Sequence, residues 1–176
     1  QQELMRKSMY DPMTQTFNRV TAKQCIEKCL EANPRSTHAL FIVDIDNFKS
    51  VNDNLGHLFG DTVLINFAAE LKKIYSDNEI LGRIGGDEFM VFIPDVTEEL
   101  INEKAQLTCQ IFDHVYSGNL NEINVSTSVG ISLYPRNGET YDARKDKLVD
   151  VSTLSYNDNT WHSAIINHDS KGELCN

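Results

Sequence analysis

The sequence predicts an α/β sandwich in which a central, mostly antiparallel sheet is flanked by helices in the order βααββαβ. Three observations carry that expectation. Ala39-Leu40-Phe41-Ile42-Val43 is an unbroken apolar run, the pattern of a strand buried on both faces. Two further apolar segments meet at Gly85-Gly86, as the halves of a hairpin do. Between and around these lie stretches whose apolar residues recur at helical spacing.

In chain order, a helix is expected over 20–31, with Ala22, Cys25, Ile26, Cys29 and Leu30 on one side. It stops before Asn33-Pro34, because the residue preceding a proline is pushed out of the α region. Strand 38–44 follows. Residues 47–54 suit a short helix, and 61–75 a longer one burying Val63, Leu64, Phe67, Ala68 and Leu71. The hairpin takes 79–84 and 88–93, and Pro94-Asp95 closes it. Thr97 is placed to cap a helix running to about residue 116, with Glu98 and Glu99 complementing its N-terminal dipole. Residues 124–133 alternate as a strand should. From 142 to 176 the chain is polar, rich in Asn, Asp and Ser, and without clear period, so no element is predicted there.

At 176 residues and 40% apolar content the chain can bury a proper core, and no Pro/Gly/Ser-rich linker divides it. A formal net charge of −10 argues against a nucleic-acid partner, since phosphate-backbone binding draws on Lys and Arg. A nucleotide remains compatible if metal ions screen its phosphates. Cys25, Cys29, Cys109 and Cys175 form neither a C-x-x-C pair nor a finger spacing, so reduced thiols and a cytoplasmic location are expected. No apolar stretch approaches a membrane span and no charged-then-apolar leader opens the chain. The fragment is therefore expected to be soluble and to make no membrane contact, with anchoring of a full-length protein left open. Residues 1–10 carry Leu4, Met5 and Met9 at helical spacing, as a packed or connecting helix would.

Chemistry concentrates in two acidic clusters. The glycine pair supplies the positive φ values a tight turn needs and leaves no Cβ between backbone and ligand; Asp87 and Glu88 follow it directly. The buried strand ends in Asp44-Ile45-Asp46. Two strand-end carboxylates, Asp44 and Asp87, fit Mg²⁺ or Mn²⁺, which takes one or two protein carboxylates and fills its other positions with water and phosphate.

These segments carry a resemblance. Residues 44–61, DIDNFKSVNDNLGHLFGD, followed by 83–92, RIGGDEFMVF, resemble the core of the GGDEF family, the diguanylate cyclases. Residues 11–19, DPMTQTFNR, are similar to the family's D-x-L-T-x-L-x-N-R opening, and 126–132, STSVGIS, to its S-x-G-I-x strand. The likeness runs from about residue 11 to 140, so 1–10 is expected as a signalling or linker helix and 141–176 as an atypical C-terminal segment of the same domain.

The resemblance implies a palm-like nucleotidyl-cyclase sheet and the condensation of two GTP molecules into cyclic di-GMP by two-metal phosphoryl transfer in a homodimer. Asp44, Asp87 and the backbone carbonyl of Ile45 are then the expected metal ligands, and Asp87 the general base. Glu88 assists with metal or ribose, or is a solvated hairpin acid. Backbone N–H groups of Asn47 and Phe48, at a helix start, face the phosphates, and Lys49 adds a mobile charge unless it is merely solvated. Gly85 and Gly86 line the nucleotide. Asn52 and Asp61 read guanine: a carboxylate accepts from guanine N1–H and the exocyclic amine together, where adenine presents an acceptor at N1. His57 lies near the ligand or on a surface loop. An upstream sensor or downstream effector domain is expected in the full-length protein.

Two departures from the family pattern stand out. Its inhibitory R-x-x-D motif is replaced by Ser76-Asp77-Asn78-Glu79, which lacks the guanidinium fork. Its C-terminal Lys and Arg, which clamp the triphosphate, fall on Asn157 and Trp161, leaving Lys145, Lys147 and Lys171 as candidates for a substitute. The competing expectation is therefore a catalytically weak GTP-binding regulatory module attached to another domain, such as a phosphodiesterase.

Overall fold

The computed structural model describes residues 9–112 and 125–135, and the backbone of Ile165–His168 and Leu174–Cys175. Residues 1–8 of the helix expected over 1–10, the helix end near 116, Asn157, Trp161 and the lysines at 145, 147 and 171 lie outside the described side chains, while Tyr10 makes a β-bridge to Phe17.

Strand β1 (Phe17–Asn18) leads into helix α1 (Arg19–Ala32), which starts where the Asn18 side chain accepts from Thr21 N–H at 2.9 Å. Next come β2 (His38–Asp46), α2 (Phe48–Leu55), α3 (His57–Ile74), the hairpin strands β3 (Ile80–Gly85) and β4 (Glu88–Ile93), and α4 (Glu98–Cys109). Strand β5 (Ser126–Tyr134) and the short β6 (Ile165–His168) and β7 (Leu174–Cys175) complete the order. The sheet runs β1-β3-β4-β2-β5-β6-β7, antiparallel throughout except for the β1–β3 pair.

Alternation along β2 divides its side chains between two cores. Ala39, Phe41, Val43 and Ile45 face the larger one, built with α2, α3 and α4 around Phe67, whose ring meets Phe89 edge-on and stacks on Phe112. Leu40 faces the smaller core with Met90, Phe92 and Tyr134, covered by Ala22, Ile26 and Leu30 of α1. Helix α1 approaches closely because β3 carries Gly82 there: a Cβ at that position would stand 2.7 Å from Ala22 Cβ.

The predicted sandwich and central hairpin are present. Four elements differ from expectation. Helix α3 begins at His57 rather than 61, because Gly56, at φ 84°, makes the break between α2 and α3 in a single residue. Strand β1 was not predicted. Neither were β6 and β7, which extend the sheet into a region where no element was expected; β6 pairs with β5 through Ser128–Asn167, Val129–Ile166 and Gly130–Ile165.

At its N-terminal end β2 is pinned by His38, which is fully buried. Asp95 N–H donates to its Nδ1 at 3.2 Å, so the proton sits on Nε2, which donates to Asn33 carbonyl at 3.0 Å. The imidazole packs at a tilt against the rings of Phe92 and Tyr134, and Tyr134 hydroxyl donates to Pro34 carbonyl at 2.8 Å.

Candidate active site

The opposite end of β2 carries the acidic cluster. The register places Asp44 directly across from Glu88 of β4 on one side and Ser128 of β5 on the other, so the three side chains share one face of the sheet. Asp44 Oδ1 is buried and has no hydrogen-bond partner. Burial, then the charges of Asp87, Glu88 and Asp46, push its carboxyl up to about 6. A backbone hydrogen bond from Ile45 offsets only part of this, and a crowded carboxylate with one buried oxygen unpaired is relieved by a cation.

Asp46, two residues further along the strand, is by contrast engaged. It accepts from Ser126 hydroxyl at 2.6 Å and Ser128 hydroxyl at 2.7 Å.

The hairpin turn presents Asp87. Only Gly86 adopts a positive φ, +26°; Gly85 does not, which corrects the expectation that both glycines supply that conformation. A Cβ at Gly85 would make only ordinary contact with Glu88 Oε2, at 3.6 Å, so position 86 carries the steric requirement of the turn. The register shifts between Arg83 and Gly85. Arg83 holds this irregular turn: its Nε and Nη2 donate to Gly86 carbonyl at 2.9 and 2.7 Å, and its Nη1 reaches Asp11 Oδ1 at 3.2 Å. Asp11 also accepts from Thr14 N–H and hydroxyl. Although burial works the other way, the Thr14 bonds and the Arg83 guanidinium hold the Asp11 carboxyl below its usual range. Lys72 donates to Thr14 carbonyl at 2.8 Å, so the 11–16 turn is tied to α3 as well as to the hairpin.

Where β2 passes into α2, Asn47 takes the left-handed conformation, φ 59° and ψ 19°, and its carbonyl accepts from Ser50 N–H at 2.9 Å. Phe48 is buried against the larger core, which fixes the helix start; Lys49 beside it is exposed. First-turn N–H groups of a helix have no intrahelical acceptors and favour an anion. Asn52 and Asp61 are brought together across the α2–α3 break. The Asn52 amide lies over Gly60, where a Cβ would stand 2.0 Å from its Oδ1, and Asp61 is the next residue, half-buried. His57 is exposed at the first turn of α3.

Among the described residues no three acidic, His or Cys side chains converge closely enough to hold a metal by themselves. Two carboxylates and a carbonyl completed by phosphate oxygens are compatible with that, because Mg²⁺ is usually held in this shared way. At the absent inhibitory motif, Glu79 Oε2 accepts from Ser76 N–H and pairs with Lys104 at 3.2 Å. Its carboxylate is thus committed within the fold.

Sequence reasoning passed over Arg83, Asp11 and the serines of β5 as site-builders. Asp11 and Arg83 stand 72 positions apart, and only the parallel β1–β3 pairing, Asn18 opposite Arg83, explains their meeting. No helix among the described residues is long and apolar enough to cross a membrane.

Comparison with known proteins follows the same residues. The model of the family described as "Diguanylate cyclase, GGDEF domain" matches residues 8–147. The chain is 32% identical to the diguanylate cyclase DgcN of Escherichia coli over 134 residues, 74% of this chain and 33% of that protein. It is 28% identical over 156 residues, 88% of this chain and 22% of that protein, to MucR of Pseudomonas aeruginosa, a bifunctional diguanylate cyclase/cyclic di-GMP phosphodiesterase. The solved GGDEF domain of TpbB from Pseudomonas aeruginosa superposes with a TM-score of 0.72 at 28% identity, covering 80% of this chain and 84% of that one. The chain thus spans between about a fifth and a third of the length of these curated relatives.

Proposed function

The chain belongs to the GGDEF family of diguanylate cyclases, and from that premise we propose that it condenses two GTP molecules into cyclic di-GMP and pyrophosphate. The observation that carries the proposal is the Asp44 carboxylate, half-buried, with one oxygen unpartnered and the charges of Asp87, Glu88 and Asp46 around it.

Asp44, the Ile45 carbonyl and Asp87 would hold Mg²⁺ or Mn²⁺, with Glu88 joining them because the register sets it opposite Asp44. When bound, the ions neutralise the leaving pyrophosphate and lower the pKa of the attacking hydroxyl. Each 3′-hydroxyl oxygen forms a bond to the α-phosphorus of the other GTP, and each α–β anhydride bond breaks. Asp87 accepts the hydroxyl proton, on a turn that Arg83 keeps in place. The N-terminus of α2 at Asn47 and Phe48 receives the β- and γ-phosphates, and the exposed Lys49 adds its charge. Asp61, with Asn52 beside it across Gly60, accepts from guanine N1–H and the exocyclic amine. Because one site binds one GTP, the reaction requires two copies of the chain. Upstream or downstream domains belong to the same proposal, the relatives being several times longer.

Incubation with GTP and Mn²⁺ or Mg²⁺ followed by chromatography tests the proposal: cyclic di-GMP and pyrophosphate are expected in a 1:2 ratio. One observation favours a second reading, a GTP-binding regulatory module. The positions where the family carries its triphosphate-clamping Lys and Arg fall on Asn157 and Trp161. Saturable GTP binding with no product at any enzyme concentration would establish that module and overturn the cyclase.

A further inference from the structure

The two aspartates at the end of β2 are of the same chemical type and lie on the same face of one strand, two residues apart, yet they are in opposite states. Ser128 stands directly across from Asp44, and Ser126 across from Asp46. Both hydroxyls nevertheless go to Asp46, at 2.6 and 2.7 Å, one to each oxygen. Ser128 therefore reaches diagonally past its cross-strand neighbour, a span that same-face residues permit. Asp44 Oδ1 is left without a partner.

We infer that Ser126 and Ser128 hold Asp46 out of the metal-binding set, so that the serine pair decides how many carboxylates the ions meet. It presupposes the metal site proposed above. Both oxygens of Asp46 are occupied by charge-assisted hydrogen bonds, which are roughly twice as strong as neutral ones. Asp46 lies two residues from Asp44 on the same face of β2, so a released Asp46 has only a short distance to travel. The consequence is selectivity. Mg²⁺ keeps its waters and takes one or two protein carboxylates, whereas Ca²⁺ takes six to eight oxygens in a looser shell. Adding a further carboxylate to Asp44, Asp87 and Glu88 would tighten divalent binding generally and favour Ca²⁺. Ser126 and Ser128 are thus the positioning residues, acting on the site through where they hold Asp46.

The test is Mn²⁺ binding, followed by the loss of the free-ion electron paramagnetic resonance signal, with 3′-deoxy-GTP present so that no turnover occurs. Asp46→Asn keeps an acceptor for one serine and a donor for the other, and its Mn²⁺ dissociation constant should stay within threefold of the unchanged protein. Asp44→Asn should raise that constant at least tenfold. Ser126→Ala with Ser128→Ala should lower it threefold or more, and Ca²⁺ should displace Mn²⁺ at a correspondingly lower concentration. Should the double variant fail to fold, Ser126→Ala alone is expected to move both readings in the same direction. Weakening by Asp46→Asn as large as that by Asp44→Asn would make Asp46 a ligand and overturn the inference while leaving the metal site standing. No saturable Mn²⁺ binding by the unchanged protein would overturn the metal site itself, and the inference with it.

Discussion

The two ends of β2 treat a buried polar group in opposite ways. At His38 the imidazole is fully enclosed, one nitrogen accepts, the other donates, and two aromatic rings pack against it. At Asp44, six residues along the same strand, an oxygen is buried with no partner, and three like charges crowd it. Satisfied burial stabilises a fold; unsatisfied burial costs free energy and persists where a ligand relieves it. The first end is structural, and the second is proposed to be catalytic. The comparison can be broken from either side.

The largest effect is expected at the unsatisfied end. Asp44→Asn or Asp87→Asn removes several kcal/mol of charge complementarity in the transition state, on the order of a thousandfold in turnover. Circular dichroism should show the fold intact. Near-normal rates in either variant would mean the metals are held elsewhere.

At the satisfied end the expected loss is of stability. His38→Ala deletes two hydrogen bonds and a packed ring, about 2–4 kcal/mol in urea unfolding. The site lies roughly 20 Å away along the strand at 3.3 Å per residue, so turnover per folded molecule should be unchanged. A variant as stable as the parent, or one that is folded but inactive, would erase the distinction between the two ends.

A third change sharpens the picture within the site. Asp61→Ser removes the acceptor proposed for guanine N1–H, costing about 1.5–3 kcal/mol, roughly ten- to a hundredfold in GTP affinity. The preference over ATP should narrow with it. Calorimetry showing unchanged GTP affinity would move base recognition away from the α2–α3 break.

How much of this was legible in the sequence follows from the range of the interactions. Strand β2 and the hairpin were readable because burial on both faces leaves a continuous apolar run, and because a glycine pair punctuates the chain locally. The start of α3 was misplaced because His57 and Leu58 are exposed, Leu58 at 86%, and contribute nothing to the apolar period. Strand β1, with two residues, is too short to show any period, and Ile165-Ile166-Asn167-His168 alternates too little to announce β6. Asp44 and Asp87 could be picked out as carboxylates at strand ends. The different fate of Asp46 could not, since it depends on serines 80 and 82 positions later arriving in register. The Arg83 brace on the turn was hidden for the same reason, its partner Asp11 belonging to the far end of the chain.

The most direct test of the contrast is the unfolding free energy of the metal-free protein and of Asp44→Asn, measured in a chelator at pH 7.5 and again near pH 4. A carboxyl raised to about 6 in the fold is charged at neutral pH against burial and its acidic neighbours. Its contribution to stability therefore falls as pH rises from the unfolded value near 3.8 to about 6 and stays flat above. Removing that charge should stabilise the variant by about 1–2 kcal/mol at pH 7.5, a figure discounted for its partial contact with water, and the two proteins should converge near pH 4. A variant less stable than its parent at pH 7.5 would contradict the account, for Asp44 would then hold the fold together as His38 does.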